Sequence, residues 1–143
     1  MADVKEQVNR VELAMTERGL NFEHVDGYDN PVIRLSFGGG DFAYTHITIN
    51  LVFDLDGESA QVITSPVANA PVEKTAKMLL VLNECNDKFR WVKFYLDKDN
   101  DITANTDVMF DEGNAGKACI EIVMRTASIV DDAYPDIMKA IWG

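Results

Sequence analysis

"LDKDNDITANTDV", residues 96–108, decides between two folds. Asp97, Asp99 and Asp101 alternate as the first ligands of a calcium loop do, and such a loop sits between two helices. The same stretch can instead be the tip of a hairpin, with strands on either side. A calcium loop turns on a glycine at its sixth position and clamps the ion with a glutamate at its twelfth. Counted from Asp97, those positions hold Ile102 and Val108, two apolar residues that a strand needs. Asp, Lys and Asn between "KFYL" and "ITANT" are what a solvated turn uses. The stretch reads as a hairpin, and no metal site is expected in it.

The flanks follow from that reading. Val92, Phe94 and Leu96 face one way, and Ile102, Ala104, Val108 and Phe110 continue that face on the return strand. Upstream, Ile33, Leu35 and Phe37 alternate with polar residues, as do Ile47, Ile49, Leu51, Phe53 and Leu55, and "AQVIT" follows at 60–64. "GGGD" at 38–41 and "DLDGES" at 54–59 separate these runs as turns. One apolar and one polar face per strand predicts a sheet covered on one side only.

Three helices supply the cover. Residues 3–19 set Val4, Val8, Val11 and Met15 on one face, with Gly19 as a left-handed stop. Pro71 opens a second helix, running to about Asn86 as its end. From Asn114 onward Ala115, Cys119, Ile122, Val123, Thr126, Ile129, Val130, Ala133, Ile137 and Ile141 form a stripe that keeps phase across Pro135, which predicts a kinked helix rather than a stop. The expected fold is one α+β domain over residues 1–143: two layers, three helices on one face of a five-stranded, mostly antiparallel sheet, in the order α-β-β-β-α-β-β-α.

Composition narrows the function. The chain has 143 residues, 47% hydrophobic and 26% charged, which is globular. Its net charge of −11 opposes nucleic acid and anionic membrane surfaces, despite a small basic cluster of Lys88, Arg90 and Lys93. The opening "MADVKEQVNR" lacks the apolar core of a secretory signal, and no run approaches the roughly 20 apolar residues of a membrane span. Cys85 and Cys119 lie in apolar helical contexts and read as buried, reduced thiols. A cytoplasmic location is expected.

No catalytic constellation emerges. "FGGGDF" leads into a strand with no lysine behind it, so it is a turn rather than a phosphate loop. His24 and His46 are the only histidines, without the partners a zinc site requires. There is no nucleophile elbow, and no catalytic, cofactor-binding or metal-binding residue is assigned. The solvent face of the sheet offers more. Tyr44, His46 and Thr48 on one strand and Trp91, Lys93 and Tyr95 on another point away from the helices. Exposed aromatics of this kind either mark a protein-binding surface or pack across strands on a half-wet sheet. On the second helix, Val72, Ala76, Met78, Leu79, Leu82 and Cys85 suffice to cover a sheet. Leu80 and Val81 widen the apolar arc beyond the about 100° that packing needs, and predict a homodimer seam unless neighbouring helices cover them.

"LNECNDKFRWVKFYLDKDNDI", residues 82–102, resembles the YbjN-like family of bacterial proteins, sometimes called sensory transduction regulators. The family tends to carry an L-N-x-x-N helix end, here Leu82, Asn83 and Asn86, then a K-F-Y-L-D strand, here Lys93 to Asp97, then an acidic turn. "DDAYPDIMKAI" in the last helix fits as well. The resemblance implies a fold like that of type III secretion chaperones, which are small, acidic, often dimeric and non-enzymatic. It implies no catalytic residues. The expected function is a non-catalytic protein-binding or regulatory domain. The alternative is a small-ligand-binding module or an enzyme with a pocket between helices and sheet.

Overall fold

The computed structural model describes residues 3–39, 42–111 and 113–143. The elements run α1 (Val4–Glu17), β1 (Glu23–Val25), β2 (Val32–Gly39), β3 (Phe42–Phe53), β4 (Ser59–Thr64), β5 (Ala68–Asn69), a 3-10 turn at Val72–Lys74, α2 (Thr75–Lys88), β6 (Lys93–Leu96), β7 (Asp101–Met109) and α3 (Ala115–Trp142). The expected α+β architecture with three helices is present, and every strand pairing is antiparallel.

The sheet has seven strands, not five. The two additional ones, β1 and β5, are three and two residues long, too short to show an alternating pattern. The element order is therefore α-β-β-β-β-β-α-β-β-α. Ile102 pairs with both Ala68 and Leu96, and Asn105 with both Ile63 and Lys93. Hence β4 and β5 run along one edge of β7, interrupted at residues 65–67, and β6 occupies the other edge. Where β4 stops, the buried Thr64 hydroxyl accepts the Ala104 N–H at 2.9 Å and closes the ladder.

The alternation predicted from sequence places Ile33, Leu35, Ile49, Leu51, Phe53, Val62, Ile102 and Phe94 in the core. α3 packs across β3 and β7 on that face, with α1 and α2 against α3. α1 begins on Asp3, whose carboxylate accepts the Glu6 N–H at 2.9 Å, and ends on Gly19 at φ +71° with the Leu20 N–H on the Met15 carbonyl. Its buried Gln7 donates to the Gly57 carbonyl at 3.0 Å and ties the helix to the β3–β4 turn. α1 and α3 meet at Gly116, where a Cβ would stand 2.6 Å from that of Ala14. α3 runs unbroken through Pro135, as the phase of its stripe required, and also buries Ile120, Ala127 and Ala140.

α2 departs from expectation at its end. It continues two residues past Asn86 to Lys88 and is capped by Phe89 in an extended conformation. Asn86 is not the left-handed terminator. Its amide reaches β6, donating to the Phe94 carbonyl at 3.0 Å and accepting the Phe94 N–H at 2.7 Å.

Candidate functional site

The aspartate turn comes first, because it is the strongest metal-like feature of the sequence. β6 and β7 flank it, so it is a hairpin tip. The carboxylates of Asp97, Asp99 and Asp101 do approach within 4.8 Å of one another. They are employed in the turn: Asp97 Oδ1 accepts the N–H groups of Asp99 and Asp101, each at 2.9 Å, and Asp101 accepts from the Asn69 side chain at 2.9 Å. Asn100 takes the left-handed position, φ +61°, and bonds Ala70 and Thr75.

The open face of the sheet is more polar than aromatic. Arg34 donates to Asn50 at 2.7 Å, Ser36 lies opposite Thr48, and Gln61 opposite Asp107. His46 is exposed, its ring lying so close over Gly38 that a Cβ there would sit 2.7 Å from Nδ1. Tyr95 pairs with Thr103 on this face and is 38% exposed. β4 and β7 lie between the His46 strand and the Tyr95 strand, so the two side chains do not form one cluster. The side chain of Tyr44 lies outside the described residues.

Two residues of the expected face behave differently. Lys93 turns its ammonium to the end of α2, donating to the carbonyls of Asn86 at 2.9 Å and Phe89 at 3.4 Å, where a cation complements the helix dipole. Trp91 precedes β6 and leaves the open face altogether. Its backbone has φ +74°, and its half-exposed ring comes within 5.2 Å of the Arg125 guanidinium on α3, in the helix layer. Arg90 lies 5.0 Å from the same ring. Alternation placed Trp91 with Lys93 and Tyr95, but alternation holds only within a strand, and the turn residue lies outside it.

The exposed apolar residues here are Val72, in the 3-10 turn, and Ala76, Leu79 and Leu80 on α2, with Val72 80% and Leu80 67% exposed. They recur at helical spacing and form a stripe facing away from the core. Val81 does not belong to it. It is half-buried, packs against the core and lines the seam between α2 and α3 with Lys77 and Asp136. Covering by a neighbouring helix, the alternative weighed for Leu80 and Val81, applies to Val81 alone.

A cleft of about 370 Å³ that the sequence did not disclose lies between α1 and the loop after β1. Val8, Val25 and Pro31 form its apolar wall, and Tyr28 stands at the opening, 65% exposed. His24 Nδ1 and Glu12 Oε2 are 2.9 Å apart in it, and His24 Nε2 is 3.9 Å from Asp26. The signal was hidden because β1, which aims His24 at α1, is too short to recognise. Both cysteines are buried as expected. Burial pushes the Cys119 thiol up to about 12. It raises that of Cys85 too, helped by Asp136 and Glu84 and opposed by Lys88. Neither is poised as a nucleophile. Among the described residues, every buried side-chain polar atom is satisfied within the chain.

Comparison with known proteins places this fold. The family described as "Putative bacterial sensory transduction regulator", YbjN, matches residues 7–138. The chain belongs to the YbjN family. A solved structure of YbjN from E. coli, described as "a putative transcription regulator", superposes with a TM-score of 0.62 at 13% identity, covering 89% of this chain and 87% of that one. No curated protein matches significantly. In this YbjN-family chain the residues that carried the resemblance have structural employment. Asn86 fastens α2 to β6, and Asp97 builds the turn after the K-F-Y-L-D strand.

Proposed function

We propose that this YbjN-family chain is a non-catalytic protein-binding and regulatory domain of the cytoplasm. Its architecture would be that of a secretion chaperone, and it would act as a homodimer. One observation carries the reading: apolar side chains stand outside a closed core at Val72 in the 3-10 turn and at Ala76, Leu79 and Leu80 along α2. A row of this kind on one helix is what a protein surface covers. Glu73 and Lys77 flank the row and are exposed. In a twofold arrangement of antiparallel α2 helices, each would face the opposite charge across the seam. Leu80 is central to that seam, and Val81 lies behind it. The exposed His46 and Tyr95, with Tyr44 on the same strand as His46, are proposed as separate secondary contacts on the open sheet, and Lys93 as one at the end of α2.

Light scattering after size exclusion should give close to twice 16.0 kDa, and Leu80→Glu should shift the protein to monomer without unfolding it. A wild type that is monomeric at tens of micromolar overturns the dimer. Partner binding is tested by capture on the immobilised chain, followed by reconstitution with the purified partner.

A second reading, a small-ligand module, is supported by the cleft beside His24, whose size falls within that of ligand pockets. A metabolite that raises the melting temperature of the wild type but not of Glu12→Gln would favour it.

A further inference from the structure

Trp91 occupies a backbone conformation that its side chain does nothing to favour. Its φ is +74°, and the Val92 N–H donates to the Arg90 carbonyl at 2.8 Å. The three residues thus close a tight turn of the rare kind that needs a positive φ at its centre. Glycine enters that conformation freely, whereas a bulky side chain is strained in it. The strain does not serve the core, because the indole is 50% exposed.

Two cations stand against the ring. The guanidinium of Arg90 lies 5.0 Å from its centroid and that of Arg125, from α3, 5.2 Å away. Neither has a carboxylate partner among the described residues. Lys88, over the Phe89 ring at 5.2 Å, and Lys93 stand at the same end of α2. Four of the 13 lysines and arginines of a chain with net charge −11 are therefore gathered around one turn. Each guanidinium carries its like charge within about 5 Å of the same ring, and an anion bound at either offsets it. Planar forks of this kind match a carboxylate in two-point contact.

We infer that Arg90, Trp91 and Arg125 form a docking point for an acidic segment of a partner protein. A carboxylate pairs with the guanidiniums and an adjacent apolar side chain lies on the exposed part of the indole. This rests on the protein-binding reading and names the chemistry of its partner. A nucleic acid is the poorer fit: its repeated phosphates would extend past these few cations over a body of opposite preference. A short peptide with one or two carboxylates can be met by Arg90 and Arg125 alone.

The test uses the full chain carrying Trp142→Phe, so that emission reports Trp91 alone. Three probes are titrated: a decapeptide alternating Asp with Phe, its counterpart with Asn for Asp, and a single-stranded DNA decamer. The acidic peptide should saturate, the amide peptide should bind at least tenfold more weakly, and salt should weaken the acidic complex. Arg90→Gln and Arg125→Gln should each cost at least tenfold at an unchanged melting temperature. Trp91→Gly, followed by anisotropy of a labelled acidic peptide, should lose binding while melting no lower than wild type. Equal binding of the Asp and Asn peptides, full binding by the arginine variants, or binding of DNA in place of peptide overturns the inference. If a reconstituted partner is retained by the Arg90→Gln, Arg125→Gln double variant, the docking point is wrong and the protein-binding reading stands. If the chain takes neither partner nor a second copy of itself, that reading fails at its root.

Discussion

The Cys119 thiol, pushed up to about 12 by burial from an ordinary value of 9.0, makes the molecule's stability depend on pH in one direction. A group whose folded value is raised contributes fully below the unfolded value and loses that contribution as pH climbs toward the folded one. Between pH 9 and 12 the loss approaches about 1.4 kcal/mol per unit. Denaturant midpoints should therefore fall more steeply with pH in the wild type than in Cys119→Ala. Equal slopes would show that the thiol titrates normally. Asn86 gives a second residue-scale expectation. Its amide serves both polar groups of Phe94, so Asn86→Ala should cost about 1–2 kcal/mol in denaturant melts. Both cysteines were legible as buried from their apolar neighbours alone. The role of Asn86 was not, since its partner lies eight residues on and in another element.

At the scale of elements, periodicity served where a segment was long. α3 was readable through Pro135 because ten positions, nine of them apolar, kept one phase, whereas β1 and β5 offer three and two residues and no phase at all. Trp91 shows the complementary failure, since a pattern extended one turn past its strand assigned the ring to the wrong layer. Pro135 removes a hydrogen bond inside α3 and is itself exposed. Pro135→Ala should raise stability, by roughly 3 kcal/mol at most. Gly116→Val should do the reverse, because its side chain would meet Ala14 and the Arg10 carbonyl where α1 crosses α3. Calorimetry of the two variants checks both signs. For the β6–β7 hairpin, calcium at millimolar concentration should leave the melting temperature unchanged. Saturation at 100 times a dissociation constant would add about 2.7 kcal/mol and could not be missed.

For the molecule as a whole, one face of the sheet is closed by helices, and what is left for partners is the outer side of α2, the turn at Trp91 and the polar face of the sheet. The hydrophobic alternation foretold the first of these facts. It was silent on which surplus apolar residues would be covered, because that depends on where α3 passes: over Val81 and not over Leu80. β6 ends the sheet beside the proposed docking turn, and an outermost strand ordinarily invites another chain to extend the sheet by backbone pairing. Here the outward N–H and C=O of Phe94 are already taken by the amide of Asn86. A side chain of the protein's own helix plays the part of the next strand. At Phe94, then, another chain finds no free backbone to pair with, and recognition at that point falls to side chains, which are selective where an open edge is not.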